Sequence, residues 1–250
     1  MALIEQAHLD TLGPGHSDWH RQVHEQLGER LRAPSEFPCT FSQNAFKRKL
    51  ICYSFVEQSD EAGLAASAAD LRQYTSLSRQ WNGSINTARP LVVAFSLQAA
   101  RFDTLEQYHA FGWQVLQAWH GLDLEDWPNG VARDPHEPFW SMCFDSMQLF
   151  VNMSVPLHRA RRSRNLGDHL LFIVNPRERF DIVAGNTPEG RAMRTHIRQR
   201  VEHYDGLAHC HQLGSYQAGE IEWWQYGIVE ENRERSDRCP FHVLTARQEA

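Results

Sequence analysis

The sequence predicts an α+β fold, in which a single domain over residues 1–250 has a mixed or largely antiparallel sheet covered by helices. Strand-like apolar runs and helix-like stretches are interleaved along the whole chain. Two short strands, at 139–144 and 147–153, are joined by Asp145 and Ser146 alone, which favours an antiparallel hairpin. No glycine-rich phosphate loop follows any predicted strand, so a parallel nucleotide-binding sheet is not indicated.

Apolar periodicity and capping residues define the elements before the long central loop. Helices show apolar side chains three or four residues apart, and strands show short apolar runs. Thr104 and Gln107 have the spacing of a capping box. In order, the pattern predicts a loosely anchored start at 1–14, a helix at 17–32 capped by Ser17, a turn-like segment at 37–41, a strand at 50–56, a helix from Asp60 to about 81, a buried strand at 91–97 and a helix from Thr104 to about 120.

A loop rich in Pro, Gly and Asp occupies residues 121–138. Loops of this length in compact domains are usually functional or lid-like. Beyond the hairpin, a buried strand is predicted at 170–176 and a helix from Thr187 to about 204. A last strand is predicted within residues 220–232.

Bulk composition excludes several classes of protein. The net charge is −6 and the pI is near 6.1, which argues against a general nucleic-acid binder. The five cysteines are odd in number and lack CxxC spacing, so neither a disulfide framework nor a zinc site is predicted. The first residues lack a signal-peptide pattern and no run of 18 apolar residues occurs, so we expect a cytoplasmic protein without a membrane span.

A dense basic cluster lies mid-chain between two predicted strands. His158 is followed within six positions by four arginines, namely Arg159, Arg161, Arg162 and Arg164. Such a run is commonly a solvated surface. The alternative is a clamp for an anion beside a metal-binding imidazole, because guanidinium groups bind carboxylate and phosphate with paired hydrogen bonds.

Other candidate residues are weaker on pattern alone. Cys39 follows Phe37 and Pro38 in a constrained segment, where it is a ligand, a nucleophile or a small buried apolar residue. The aromatic residues Trp140 and Phe150 beside the hairpin suit either a core or a cofactor contact. Three carboxylates are candidates to hold a cationic substrate: Asp145, Glu220 and Glu222.

Four sequence segments together resemble the YqcI/YcgG family, to which heme-dependent N-oxygenases of D-cycloserine and guanitoxin biosynthesis belong. They are FPCTFSQNAFKRKLICYSFVE at 37–57, the FW pair at 139–140 with its hairpin, VPLHRARRSRNLGDHLLFIVNPRERFD at 155–181 and CPF at 239–241. The resemblance extends from about Phe37 to Phe241.

This resemblance implies a non-covalent heme b, and no CxxCH attachment motif is present. It assigns His158 as the axial ligand, with Cys39 as the competing ligand because a thiolate favours O–O cleavage. It also implies cofactor contacts from Phe150 and a clamp on the heme propionates from three arginines: Arg159, Arg162 and Arg164. The resemblance implies catalytic roles for Cys39, Trp140 and Glu222. It also implies that Glu222 or Asp145 binds the guanidinium group of the substrate.

The implied reaction is transfer of oxygen from O₂ to a nitrogen of a small guanidine or amine. The implied substrate is arginine or a cyclic guanidine such as 2-aminoimidazole. The implied product is an N-hydroxy, nitroso or nitro compound of natural-product biosynthesis. The sequence contains no flavin or ferredoxin motif, so an external electron donor is expected. Three alternatives stay open: a heme carrier, a heme sensor, and a metal-free protein that binds small anions. Whether the chain forms a homodimer is also open.

Overall fold

The computed structural model describes residues 3–11, 18–208 and 210–244 of the chain. Six strands form one mixed sheet in the order β1-β2-β3-β6-β5-β4. The strands are β1 (Ile4–Glu5), β2 (Cys52–Val56), β3 (Leu91–Phe95), β4 (Met142–Phe144), β5 (Met147–Ser154) and β6 (Leu171–Pro176). The helices are α1 (Gln6–Leu9), α2 (Asp18–Leu31), α3 (Thr40–Lys47), α4 (Glu61–Ser78), α5 (Leu105–Leu122), α6 (Arg177–Val183) and α7 (Pro188–Asp205).

Strand pairing confirms the predicted α+β class. β2 and β3 run parallel, whereas the β1–β2, β3–β6, β6–β5 and β5–β4 pairs are antiparallel. The predicted tight hairpin joins β4 to β5, with Phe144 opposite Met147. Its two turn residues, Asp145 and Ser146, both have positive φ (53° and 57°), as the right-handed twist of a two-residue hairpin requires.

Side-chain caps fix the starts of three helices, as the sequence predicts. Asp60 accepts from the backbone N–H of Gly63 at the start of α4. Thr104 and Gln107 form a reciprocal capping box at α5. Thr187 caps α7 ahead of Pro188, whose missing N–H is harmless in the first turn. Ser17 lies outside the described residues, but α2 agrees with the rest of the prediction at 17–32.

The two faces of the sheet carry different cores because side chains alternate along each strand. Leu91, Val93 and Phe95 of β3 point into a large cluster rich in aromatic residues, beneath α4 and α5. Val92 and Ala94 point to the opposite face, into a smaller cluster with residues of α2 and α3. The site described below lies on that second face.

Two local predictions are wrong. The turn-like segment at 37–41 instead leads into α3, which begins at Thr40 without any side-chain cap and is therefore hard to detect from sequence. The predicted last strand within 220–232 is instead irregular, with a 3₁₀ turn at Trp223–Gln225. Trp223 and Tyr226, three residues apart, are both fully buried, which is a helical rather than a strand spacing.

Of the helices described, none combines the length and the apolar character needed to cross a bilayer. The long loop predicted at 121–138 is present from residue 123, without helix or strand up to residue 138, because α5 continues to Leu122. Trp127 and Val131 of this loop are buried in the aromatic cluster, so this part of the loop is anchored.

Candidate functional site

A cavity of ≈ 300 Å³ opens on the face of the sheet that carries Val92. Its floor consists of side chains from β3, β5 and β6, and its walls come from α2, α3, α6 and α7. The volume lies at the lower end of the range for ligand and cofactor sites. Most of the wall is apolar, and its aromatic members are Phe37, Phe41, Phe150, Phe180 and Tyr216.

Cys39 lines this cavity at the N-terminus of α3. The preceding segment is fixed from α7, because the guanidinium of Arg200 donates to the carbonyl oxygens of Phe37 (2.9 Å) and Pro38 (3.1 Å). The hydroxyl of Ser42 donates to the carbonyl of Cys39 at 2.7 Å. The thiol is therefore held on a turn with fixed backbone contacts, beside the first free N–H groups of a helix.

Arg164 places a half-buried guanidinium in the wall of the cavity. No described residue forms a hydrogen bond or ion pair with that guanidinium, although Cys39, Cys210 and Asp205 lie close enough to influence it. Burial lowers the pKa of Arg164 from its ordinary value. Asp205 is already occupied, since the backbone N–H and hydroxyl of Ser163 donate to it. A cation that is partly removed from water and has no ion-pair partner is costly, so this group is suited to an anionic ligand.

Two arginines of α7 add positive charge to the same cavity. Arg194 donates to the carbonyl oxygens of Ala184 and Gly185, and Arg198 donates to that of Leu213 at 2.7 Å. Neither forms an ion pair with a carboxylate among the described residues. Carbonyl oxygens leave the positive charge uncompensated, so both guanidinium groups can attract carboxylate groups of a ligand.

The floor of the cavity is partly polar. Phe150, Asn152 and Ser154 of β5 share one face of the strand, and Asn175 of β6 lies beside Phe150 in the register. The side-chain carbonyl oxygen of Asn152 is buried without a hydrogen-bond partner among the described residues. Polar side chains in the central strands of a sheet are unusual in a packed core, and here they face open volume.

A cluster of two carboxylates and one guanidinium closes one side of the cavity. Nη1 of Arg177 lies 2.5 Å from Oε2 of Glu222, and Nη2 lies 3.6 Å from Oδ1 of Asp181. Asp181 and Arg177 line the cavity, whereas Glu222 is buried behind Arg177. The hydroxyls of Ser141 and Tyr226 both donate to Oε1 of Glu222 at 2.8 Å. Burial raises the pKa of Glu222 to about 7.

His158 does not belong to the cavity wall. Its ring is buried, its Nδ1 lies 2.5 Å from Oε1 of Glu230, and its Nε2 has no hydrogen-bond partner among the described residues. Burial lowers the pKa of His158, although Glu230 opposes this shift. The ring of His109 lies 6.0 Å away, and burial lowers the pKa of His109 to about 3. Among the described residues, no three metal-binding side chains gather here or elsewhere.

The remaining residues predicted for the site are dispersed. Arg159 and Arg162 are exposed, and Arg162 stacks on the ring of Tyr204. Trp140 is fully buried in the aromatic cluster on the other face of the sheet, near Trp127. Asp145 lies at the hairpin turn, where Thr75 and Arg79 donate to it. Among the residues predicted to contact heme or substrate, the structure thus gathers Cys39, Phe150 and Arg164 around the cavity.

Sequence reasoning missed Asp181 and four cavity arginines: Arg177, Arg179, Arg194 and Arg198. The motif RERFD at 177–181 directly follows β6, and a helix that begins at a strand end covers that end of the sheet. The sequence therefore contains a signal that RERFD lies at the end of the sheet, but this signal can be used only when α6 is predicted. The four-residue spacing of Arg194 and Arg198 placed both on one face of α7, yet nothing local indicated that the face was buried.

This chain is similar to known proteins over nearly its whole length. A protein of Streptomyces lavendulae, named "Putative N(omega)-hydroxy-L-arginine synthase DcsA", is 53% identical over 232 residues, covering 93% of this chain and 87% of the relative. "Uncharacterized protein YcgG" of Bacillus subtilis (strain 168) is 30% identical over 231 residues, covering 91% and 89%. No solved structure matches. The YqcI/YcgG family matches residues 27–242, and the chain therefore belongs to the YqcI/YcgG family.

Proposed function

We propose that this protein is a heme-dependent N-oxygenase, which transfers oxygen from O₂ to a guanidine nitrogen of arginine or of a related small molecule. The name of the Streptomyces lavendulae relative supports the substrate class and the reaction, because that protein is 53% identical over most of both chains. The lining of the cavity, with apolar side chains, several guanidinium groups and one carboxylate, supports an anionic cofactor and a small cationic substrate. An external donor supplies two electrons which, with two protons, reduce the second oxygen atom of O₂ to water.

The residues around the cavity fit a heme. A porphyrin needs an apolar slot for its ring, cations for its two propionates and one protein ligand for the iron. These needs are met, in the same order, by the apolar wall, by the three guanidinium groups without carboxylate partners and by Cys39. The observation that carries the proposal is the half-buried guanidinium of Arg164, which has no carboxylate partner among the described residues and lies in the same wall as Cys39.

Cys39 is the better candidate for the side chain that would hold the heme iron. It lines the cavity on a segment fixed by Arg200, whereas His158 is absent from the described cavity wall and is bound to Glu230. The order of preference suggested by the sequence, with His158 ahead of Cys39, is therefore reversed in this proposal. Glu230 also accepts from the backbone N–H groups of Arg159 and Ala160, so His158 has a sufficient structural role in fixing this turn.

When bound, heme supplies the activation of O₂ for transfer of an oxygen atom to nitrogen. The chain contributes the surroundings. Apolar side chains from α2, α3 and β3 exclude water from the cavity, and the Cys39 segment, held by Arg200, fixes the position of the cysteine sulfur. Arg164, Arg194 and Arg198 provide charge-assisted hydrogen bonds, each worth about 1.5–3 kcal/mol where water is excluded.

A turnover assay tests this function. Protein reconstituted with hemin is incubated with arginine, O₂ and a ferredoxin with its reductase, and products are identified by mass spectrometry. We expect a product heavier by one oxygen atom, labelled when ¹⁸O₂ is supplied. Arg164→Leu should weaken hemin binding about 10-fold or more, while Arg159→Leu, an exposed neighbour in the same basic cluster, should not. Full hemin binding without any oxygenated product from guanidines or amines would favour a heme carrier or sensor instead.

A further inference from the structure

The cavity contains one carboxylate among the described residues that line it, and that carboxylate belongs to Asp181. The carboxylates suggested by the sequence do not reach the cavity wall. Glu222 is 1% exposed and lies behind Arg177, and Asp145 is bound to Arg79 and Thr75 at the hairpin turn. A cation that enters the cavity therefore meets a negative side chain at Asp181.

Asp181 is incompletely neutralised by its neighbours. Two carboxylates share the one guanidinium of Arg177, and Glu222 takes the closer position, at 2.5 Å against 3.6 Å. A separation of 3.6 Å between nitrogen and oxygen is too long for a good hydrogen bond. The guanidinium of Arg177 is further held over the ring of Tyr216 at 4.1 Å, which favours its present position. Gln217 contributes an uncharged hydrogen bond to Asp181.

The surroundings of Asp181 suit a planar cation. Its carboxylate is half-buried, and burial raises its pKa, so an added positive charge would stabilise the ionised form. Phe180, its neighbour in the chain, also lines the cavity and lies against Phe150 with ring centroids 5.0 Å apart. A carboxylate beside aromatic rings binds a guanidinium through paired hydrogen bonds and ring contacts.

We propose that Asp181 binds the guanidinium group of the substrate and so selects guanidinium compounds over neutral isosteres. This inference rests on the proposed function, because it concerns the substrate of that same cavity. Asp181 acts by orienting the group to be oxidised, with no proton or electron transfer assigned to it.

Calorimetric titration with arginine and with citrulline tests the inference. Citrulline has the same backbone but an uncharged urea in place of the guanidinium. The wild type should prefer arginine, and Asp181→Asn should weaken arginine binding about 10- to 100-fold while changing citrulline binding little. Asp181→Glu, which keeps the charge, should retain the preference for arginine. Asp126→Asn, an exposed position away from the cavity wall, is the matched control and should behave as the wild type.

Hemin-loaded and hemin-free protein are both titrated, and hemin binding by each variant is measured separately. Arginine selectivity that depends on Asp181 in protein that does not bind hemin would support this inference and contradict the proposed function. Oxygenation of arginine by an Asp181→Asn variant with unchanged selectivity would overturn this inference alone. Absence of arginine binding in both the hemin-loaded and the hemin-free wild type would also overturn this inference. So would an Asp181→Glu variant that is folded but no longer prefers arginine.

Discussion

The two faces of the central sheet show how one set of strands can build both a packed core and a ligand site. On β3, Val93 points into the aromatic cluster, whereas its neighbour Val92 lines the cavity. On β5, Val151 and Met153 are fully buried on the packed face, but Asn152 between them faces the cavity. The packed face gives stability, and the other face accepts uncompensated charge and open volume for binding.

The contrast is also one of charge. The aromatic cluster is built around Trp119, Trp140 and Trp223, which are uncharged and fully buried. Five arginines line the cavity among the described residues, against the single carboxylate of Asp181. Excess buried positive charge destabilises a protein that has no bound anion, so we interpret this imbalance as the cost of a ligand site.

Glu222 lies at the border between the two faces, and its ionisation should give the largest effect. Its pKa is raised from 4.5 to about 7, so its contribution to stability is fully present below pH 4.5 and is lost as the pH rises towards 7. We expect the free energy of unfolding of the wild type to fall over this window by on the order of 3 kcal/mol relative to Glu222→Gln.

Urea unfolding of both proteins at several pH values from 4.5 to 8 measures this difference. Glu220→Gln, at an exposed carboxylate two residues away, is the control and should follow the wild type. If the free energy of unfolding depends on pH in the same way in the wild type and in Glu222→Gln, then Glu222 does not have the raised pKa described above.

The two adjacent valines of β3 provide a smaller and more closely matched test. Val93→Ala should cost about 2 kcal/mol of unfolding free energy, because it leaves a void in a packed cluster. Val92→Ala should cost about 1 kcal/mol, because it enlarges a cavity that already exists. Equal losses in chemical denaturation would remove the distinction between a packed face and a hollow face.

Much of the fold could be predicted because its signals are local. The hairpin at Asp145 and Ser146, the capping box at Thr104 and the Pro-initiated α7 each depend on a few adjacent residues. The missed helices have no such signal, since neither α3 nor α6 begins with a side-chain cap. The tail was predicted as a strand from its apolar content, although Trp223 and Tyr226 have the spacing of a helical turn.

The site was partly predictable for the same reason. Cys39, Phe150 and Arg164 stood out by their local context, and all three line the cavity. His158 stood out equally, yet its environment depends on Glu230, which lies 72 residues further along the chain. Asp181 acquires its importance from the positions of Glu222 and Arg177 around one guanidinium, and no local pattern contains that arrangement.

The identity of the iron ligand tests the central claim most directly. We would reconstitute the wild type, Cys39→Ser and His158→Ala with hemin and record the absorption spectra of their ferrous carbonyl complexes. We expect a thiolate-type spectrum for the wild type and for His158→Ala, and we expect Cys39→Ser to lack this spectrum. An imidazole-type spectrum that survives in Cys39→Ser and disappears in His158→Ala would contradict the assignment of the cavity as the heme site.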